Sequence, residues 1–414
     1  MAVTQSPEYE VDLTTLVYSG ETLGRLPDGR AVFVPYALPG ERARIRLVEE
    51  KRRYVHAQLL EIIEPVAERI EPRCPHFTHC GGCHYQNMGY PHQLVAKTAI
   101  LTDQLERIGG LREPPVQSAV SSPVSWNYRN HIQFHLCPTG GLGFQAPRSR
   151  VVVPVRECHL PEDMLNEVWP LLDIQPLSGL ERVGLRLGVE DEVLIVCEGN
   201  DPSTIDFHLD LPFSAVYKTP EGVLLLAGDS YTVMKIRERM FRVSAGSFFQ
   251  VNTGTTEKMV AHLLGNLDLK PDTVLVEAYC GVGLFSAFLA PHVGHLIGIE
   301  SDPGACDDFV GNLDEFDHVT LYQASTEDVL PHLDLHPDIV LVDPPRIGLG
   351  RQNLDAILSL QPDELVYISC DPATLGRDAR RLTTGGYLLH QITPFDMFPQ
   401  TYHIESISFW KKGK

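Results

Sequence analysis

The sequence predicts an α/β protein with three parts: a small β-barrel over residues 1–65, a β-rich region over 66–250, and a doubly wound sheet over 251–414. Before residue 65, apolar and polar residues alternate between Gly and Pro turns, which is typical of a small antiparallel barrel. From about residue 255 onward, short apolar strands alternate with helical segments. That alternation indicates right-handed βαβ units around a mainly parallel sheet.

The clearest barrel strand is ARIRLVE, residues 43–49, whose apolar residues fall on one face and whose arginines fall on the other. Residues 21–60 contain eight Arg or Lys and five acidic residues, in a chain whose net charge is −20. The overall charge argues weakly against a polyanionic partner. The local excess of positive charge is compatible with a solvated face and also with a surface that holds RNA.

Composition restricts the class of protein. At 414 residues the chain is long for one domain, and no apolar run reaches the roughly 20 residues that span a bilayer. The N-terminus lacks the basic-then-apolar pattern of a signal peptide. Nine cysteines do not make a disulfide scaffold in a chain of this length, so clustered cysteines indicate metal binding or chemistry. We expect a cytoplasmic monomer without membrane association.

The carboxyl ends of the predicted parallel strands indicate a ligand site. Gly281 and Gly283 in EAYCGVGLFS allow a tight turn, but Ser286 stands where a dinucleotide fold would have a third glycine. Glu300 ends the next strand, where an acid either holds ribose hydroxyls or caps a helix. Asp343 precedes two prolines in VDPPR, which fix a rigid loop. Together these features fit S-adenosylmethionine better than NAD.

A second candidate feature is Cys370, which ends the apolar strand of ELVYISCDPATLGRD. Most free cysteines are small buried fillers, but a thiol at a strand end near a ligand is also placed to be a nucleophile. Cys280, the rival thiol, lies inside the glycine turn, where we expect it to face the cofactor. The sequence therefore favours Cys370.

Five motifs resemble those of the RNA uridine-5-methyltransferase family, and they occur in the family's order over almost the whole chain. They are FFQVN (248–252), YCGVG (279–283), VDPPR (342–346), SCDPATLGRD (369–378) and DMFPQTYHIES (396–406). The basic barrel resembles the OB-like TRAM domain that many members carry. The resemblance implies a Rossmann-like catalytic domain that methylates C5 of a uridine in RNA, with 23S ribosomal RNA favoured and transfer RNA as the alternative.

The resemblance also implies residue roles. Uracil C5 becomes nucleophilic when a thiolate adds to C6, and a base must then remove the C5 proton. Cys370 matches the family's nucleophile, and Glu405 in HIESISF matches its general base. The positions that match cofactor contacts are Gln250, Tyr279, Glu300 and Asp343.

A metal site is indicated by CPHFTHCGGC, which places Cys74, Cys80 and Cys83 within ten residues. The family pattern points to Cys158 as the fourth ligand. Four thiolates suit either a [4Fe–4S] cluster or tetrahedral zinc. The resemblance favours the cluster.

Two other functions stay open from the sequence. An RNA cytosine-5-methyltransferase also uses a cysteine, but it does not need Glu405 in this role. A catalytically idle iron–sulfur RNA-binding protein could keep the same scaffold. For the uridine methyltransferase itself, the barrel and the central region are the expected RNA-binding parts, with Trp126, Tyr128 and Arg129 in SWNYRN as possible contacts.

Overall fold

A computed structural model describes residues 7–172, 174, 179–202 and 213–413. Its first part is a closed barrel with the strand order β1-β2-β3-β5-β4. The strands are β1 (Glu8–Leu16), β2 (Glu21–Arg25), β3 (Ala31–Pro35), β4 (Arg42–Glu50) and β5 (Tyr54–Glu64). Alternate side chains of β4 point inward, so Ala43, Ile45 and Leu47 are buried. The predicted barrel is confirmed.

The arginines on the outer side of β4 pair with carboxylates of the same barrel. These pairs are Arg42–Glu10, Arg44–Glu61 and Arg46–Glu8. Exposed pairs contribute little to stability, but they cancel much of the local positive charge. In the part of the chain that the structure describes, Arg52 and Arg53 in the β4–β5 turn are exposed and have no ion-pair partner.

An irregular segment, residues 65–89, leads to helix α1 (Tyr90–Arg107). Pro91 lies in the first turn of α1, where a missing N–H costs no intrahelical hydrogen bond. Leu101 and Leu105 of α1 are buried in an apolar cluster that also covers one face of the C-terminal sheet. The helix therefore packs on the C-terminal sheet.

The middle of the chain forms a mixed sheet with the order β12-β11-β10-β9-β6-β7-β8. Its elements are β6 (His131–Leu136), β7 (Leu142–Gln145), β8 (Val152–Pro154), α2 (Asp163–Val168), β9 (Leu180–Leu187), β10 (Val193–Gly199), β11 (Phe213–Thr219) and β12 (Gly222–Ala227). A hairpin of β13 (Tyr231–Ile236) and β14 (Arg239–Ser244) follows. Phe241 of this hairpin lies in the core of the C-terminal part.

The C-terminal sheet has the order β17-β16-β15-β18-β19-β21-β20. Its elements are α3 (Thr253–Asn266), β15 (Val274–Ala278), α4 (Leu284–Leu289), β16 (His295–Glu300), α5 (Pro303–Asn312), β17 (Val319–Gln323), α6 (Thr326–Val329), β18 (Ile339–Val342), α7 (Gly350–Leu360), β19 (Glu364–Ser369), α8 (Pro372–Thr384), β20 (Tyr387–Phe395) and β21 (Glu405–Lys412). The first five strands in that order are parallel, whereas β21 is antiparallel to β19. The predicted alternation of strands and helices is confirmed.

Apolar clusters cover both faces of this sheet, one with α3, α4 and α5 and the other with α1, α7 and α8. Because both faces are buried, its central strands are almost wholly apolar. The carboxyl ends of β15, β16, β18 and β19 meet at one edge, where a ligand can approach. No helix within the described ranges is long and apolar enough to span a membrane.

Candidate active site

The turn between β19 and α8 holds Cys370. Every residue of β19 is buried, which fixes the position where the strand ends. Asp371 begins α8, because its Oδ1 accepts the backbone N–H groups of Ala373 and Thr374, both at 2.9 Å. This cap fixes the backbone next to Cys370, while the cysteine itself stays partly exposed. The position suits a reactive thiol better than a filler.

Glu405 lies opposite Cys370 on the neighbouring strand. In the antiparallel pair of β19 and β21, Ser369 is the register partner of Ser406. Continuing the register by one residue sets Cys370 against Glu405, and directly opposed side chains point to the same side of a sheet. Glu405 is buried, with 4% of its surface exposed. The strand pairing therefore brings the predicted nucleophile and base together.

Asp343, which follows β18, adds a second carboxyl group to this cluster. Burial raises the pKa of Asp343 to about 7. Burial also raises the pKa of Glu405 well above its ordinary value, and the charge of Asp343 raises it further. The charge of one group opposes the ionisation of the other, so the two carboxyl groups titrate together. Such a pair is suited to acid–base chemistry.

The Cys370 thiol is affected by the same charges. Burial raises its pKa to about 12, with further contributions from Glu405 and Asp343, whereas Arg346 lowers it. Arg346 is exposed and follows the two prolines of VDPPR. The sequence analysis assigned it no role, although its place in the rigid loop of Asp343 was a signal.

The backbone after β15 forms the predicted glycine turn at the same edge of the sheet. The φ angle is positive at Tyr279 (63°), Gly281 (53°) and Gly283 (84°). A Cβ atom on Gly283 would lie 2.3 Å from Leu313 Cδ1, so only glycine fits there. At Gly281 no atom lies within 4 Å of the corresponding position. The space beside Gly281 lets a ligand approach the backbone closely.

Glu300 and Tyr279 both border this turn. Glu300 Oε2 accepts the backbone N–H of Gly281 at 3.0 Å, and its Oε1 accepts the N–H groups of the two residues that follow it. Asn353 Nδ2 donates to the Tyr279 hydroxyl at 2.7 Å. Both side chains are thus fixed next to the glycine turn. Their roles as cofactor contacts stay predictions.

Gln250 approaches from the loop before α3 and is 6% exposed. Asn130 Nδ2 donates to the Gln250 carbonyl at 3.1 Å, and the Asn130 backbone N–H donates to the Val251 carbonyl at 3.0 Å. Arg186 Nη2 donates to the Ser247 carbonyl at 2.8 Å. The central sheet therefore holds this loop in place. A role for Gln250 in cofactor binding stays a prediction.

The four predicted metal ligands line a single cavity of about 320 Å³. Cys74, Cys80 and Cys83 come from the segment 65–89, and Cys158 comes from the loop before α2. The backbone N–H of Gly82 points to Cys80 Sγ at 3.4 Å. Among the residues with described positions, no group of three or more His, Cys, Asp or Glu lies close enough to share one metal ion.

Arg129 also lines this cavity. Its guanidinium lies 5.6 Å from the ring of Phe398 and 5.8 Å from that of Tyr128. No carboxylate among the described residues forms an ion pair with Arg129. An unpaired guanidinium beside four thiols fits an occupant with negative charge.

Two predictions about individual residues are wrong. Tyr128 is no RNA contact, because it is 3% exposed and its hydroxyl donates to the Pro399 carbonyl at 3.0 Å. Cys280 does not face the cofactor turn but is 5% exposed and packs in the apolar cluster that contains Phe309. Cys370 thus stays the candidate nucleophile.

The expected fillers are all buried: Cys137, Cys197 and Cys306.

Comparisons with known proteins agree with this architecture. An uncharacterized RNA methyltransferase of Thermosynechococcus vestitus is 32% identical over 98% of this chain and 98% of its own. One of Halalkalibacterium halodurans is 32% identical over 98% of this chain and 97% of its own. The family model for tRNA (uracil-5-)-methyltransferases matches residues 229–413, and that for the TRAM domain matches residues 3–60. The chain belongs to the RNA uracil-5-methyltransferase family.

This member of the uracil-5-methyltransferase family is therefore an RNA methyltransferase with an N-terminal TRAM domain. Its fold is shared with a solved structure, the Pyrococcus abyssi tRNA (uracil-54, C5)-methyltransferase in complex with S-adenosyl-L-homocysteine. The TM-score is 0.74 at 23% identity, and the alignment covers 97% of this chain and 100% of the other. The predicted family and the TRAM barrel are confirmed.

Proposed function

We propose that this methyltransferase transfers a methyl group from S-adenosylmethionine to C5 of a uridine in RNA. The observation that carries the proposal is the opposition of Cys370 and Glu405 across β19 and β21. Asp343 stands close enough to both to change their titration. A thiol and a carboxyl group on one edge are the two groups that C5 methylation through a covalent adduct needs.

The chemistry follows from these two side chains. The Cys370 thiol gives its proton to solvent, and its sulfur bonds to C6 of the uracil, so that C5 becomes an enolate carbon. S-adenosylmethionine, when bound, would supply the methyl group to C5 and leave as S-adenosylhomocysteine. Glu405 then accepts the C5 proton, and the bond between C6 and sulfur breaks to restore the ring. Glu405 suits the proton transfer because burial and the charge of Asp343 raise its pKa, which makes its carboxylate a stronger base.

The proposed cofactor contacts surround the glycine turn. They are Gln250, Tyr279, Glu300 and Asp343. The open space at Gly281 and the oriented carboxylate of Glu300 support this placement. An acid at the end of the second strand can accept hydrogen bonds from ribose hydroxyls. The Pyrococcus abyssi enzyme of the same fold was solved with S-adenosyl-L-homocysteine, which also supports the proposal.

We also propose that the four-cysteine cavity holds a [4Fe–4S] cluster. In a zinc site all four sulfurs lie about 2.3 Å from one ion. In a cluster each thiolate binds a different iron, so the sulfurs stand further apart around a larger volume. The shared cavity and the Arg129 guanidinium that lines it support an occupant with negative charge, and the resemblance to the family favours the cluster over zinc. The four ligands are Cys74, Cys80, Cys83 and Cys158.

The RNA surface that we propose lies on the outer face of the barrel. The rings of Phe33, Tyr54 and His56 form a cluster there, with centroids 5.4 to 5.9 Å apart. Arg52 and Arg53 precede Tyr54 in the chain. Aromatic side chains beside unpaired cations are typical of surfaces that stack single-stranded bases. With the barrel and the cysteine site combined, we favour 23S ribosomal RNA over transfer RNA.

Nucleoside analysis tests the proposed function. The protein is incubated with labelled S-adenosylmethionine and unmodified total RNA, which is then digested to nucleosides. We expect label in 5-methyluridine, first in the 23S fraction, and none with Cys370→Ala. Label in 5-methylcytidine would favour the cytosine enzyme. An absence of label with protein that binds RNA would favour the non-catalytic alternative.

A further inference from the structure

The turn between β1 and β2, residues 17–20, brings the barrel to the catalytic edge. The ring of Tyr18 meets the ring of Tyr402 edge-on, with centroids 5.8 Å apart and an interplanar angle of 87°. Leu16 lies in one apolar cluster with Ile404, which immediately precedes the candidate base. The barrel is therefore packed on the catalytic part at this point.

The most specific contact in this interface is a hydrogen bond between two side chains 353 positions apart. The Tyr18 hydroxyl donates to Asp371 Oδ2 at 3.0 Å. The other carboxylate oxygen, Oδ1, accepts the two backbone N–H groups that cap α8. Both oxygens of Asp371 thus have donors, one from the barrel and the others from the catalytic part. Asp371 directly follows Cys370.

We propose that Tyr18 of the barrel is a positioning residue for Cys370 and acts through Asp371. The proposal rests on the proposed function in one respect, namely that Cys370 is the nucleophile. The hydrogen bond holds the turn that carries the thiol at a fixed distance from the opposing strand. It makes the TRAM barrel part of the active-site structure, in addition to any contact that the barrel makes with RNA.

The hydrogen bond also changes the charge next to the thiol. The negative charge of Asp371 is one of the causes that raise the pKa of Cys370. A donated hydroxyl spreads part of that charge, so its loss should make ionisation of the thiol harder. The charged and titratable groups that act on the thiol are Glu405, Asp343, Arg346 and Asp371. Only the effect of Asp371 depends on Tyr18.

Tyr18→Phe tests the proposal because it removes the hydroxyl and keeps the ring on Tyr402. The matched control is Tyr9→Phe, since Tyr9 lies in β1 of the same barrel, packs against the barrel core and belongs to neither proposed site. Each full-length protein is treated with iodoacetamide between pH 6 and 10. Cys370 is the only cysteine in the tryptic peptide 352–377, so mass spectrometry reports its alkylation rate separately.

We expect the alkylation profile of Cys370 to move to higher pH in Tyr18→Phe and to stay unchanged in Tyr9→Phe. In Tyr18→Phe, kcat for methyl transfer should fall by roughly tenfold, because the variant loses one hydrogen bond to a charged group. The KM for S-adenosylmethionine should stay unchanged. An unchanged profile together with an unchanged kcat would overturn the proposal. An equal loss in both variants would also overturn it, because the effect would not be specific to the Asp371 contact.

The alkylation assay uses neither RNA nor S-adenosylmethionine. If the wild-type protein methylates no uridine, the proposed function fails. The shift of the Cys370 profile in Tyr18→Phe still decides whether the barrel positions that thiol. Thermal unfolding of both variants checks that the ring substitution leaves the fold intact.

Discussion

Cys370 and the four cysteines of the cavity differ in what surrounds the sulfur. Cys370 stands opposite Glu405 and near Asp343, so carboxyl groups oppose its ionisation. The cavity cysteines instead face N–H donors, such as that of Gly82, and the guanidinium of Arg129. Burial raises the pKa of Cys83 and Cys158 to about 12, as it does that of Cys370, so the two places differ in the charges that add to the effect of burial.

The contrast matches two kinds of sulfur chemistry. A thiol that adds to a base needs a carboxyl group nearby for the later proton transfer, and Glu405 lies opposite Cys370. A thiolate that carries a metal permanently is stabilised by hydrogen-bond donors and nearby cations. We therefore infer that the two sites have separate tasks, and five substitutions can test that separation.

Cys370→Ala should have the largest effect. Without the nucleophile no adduct forms, so we expect methyl transfer to fall by about 10⁴-fold or more, while the metal content stays unchanged. Radiolabel incorporation into RNA and iron analysis measure the two quantities. The matched control is Cys137→Ala, which removes a thiol that is 3% exposed and far from both sites in the chain. Methylation by Cys370→Ala at the wild-type rate would contradict the covalent mechanism.

Glu405→Gln should block the second half of the reaction. Gln keeps the shape of the protonated carboxyl group but cannot accept the C5 proton, so we expect turnover to fall by roughly 10³-fold. Because the thiol still adds and the methyl group is still transferred, a covalent RNA–protein species should accumulate with natural RNA. A denaturing gel detects it. If Glu405→Gln turns over normally, another group is the base.

Cys80→Ala tests the proposed metal site of the four-cysteine cavity. We expect the purified protein to lose its iron and acid-labile sulfide and its brown colour, because three thiolates no longer close the site. The alkylation rate of Cys370 should stay within about twofold of wild type, since the two sites do not share a charge. Stoichiometric zinc in the wild-type protein, with no sulfide, would contradict the proposed cluster.

Arg346→Gln should move the alkylation profile of Cys370 to higher pH. Arg346 is the cation that lowers the pKa of this thiol, but it is exposed, so we expect a shift of only about half a pH unit. Arg346→Lys keeps the charge and should keep most of the profile. High salt should shift wild type toward the Gln variant. If the alkylation profile is the same in Arg346→Gln as in wild type and does not change with salt, Arg346 does not lower the pKa of Cys370.

Asp343→Asn should have the smallest effect, on stability. The folded-state pKa of Asp343 is raised to about 7, so the folded protein holds a proton that the unfolded chain releases at lower pH. Wild-type stability therefore decreases as the pH rises from about 4 to 7. Asn removes this loss, and we expect a gain of about 2.6 kcal/mol in the free energy of unfolding at pH 8 relative to pH 5. Urea denaturation at both pH values measures it, and an equal change at both would contradict the raised pKa.

Local patterns predicted much of this fold. The alternating barrel strands and the strand–helix alternation after residue 255 are local signals, and both are confirmed. Cys370 and Asp343 could be assigned to strand ends because apolar β-branched runs stop immediately before them. The resemblance to a family supplied the roles that local pattern could not.

Contacts between distant segments could not be predicted. The opposition of Cys370 and Glu405 depends on β21 inserting beside β19 rather than at the sheet edge, and no local signal encodes that order. The bond from Tyr18 to Asp371 depends on how the barrel packs. The prediction that Cys280 faces the cofactor was wrong because the turn directs its side chain into the core. The two glycines that follow it in the sequence do not reveal that direction.

Mass spectrometry of the protein trapped on 5-fluorouridine RNA tests most directly whether Cys370 bonds to the base. Glu405 cannot remove fluorine from C5, so the reaction should stop at the methylated adduct. We predict that the added mass lies on peptide 352–377, at Cys370, and requires S-adenosylmethionine to persist. An unmodified Cys370 peptide, in protein that converts ordinary RNA to 5-methyluridine, would contradict the account.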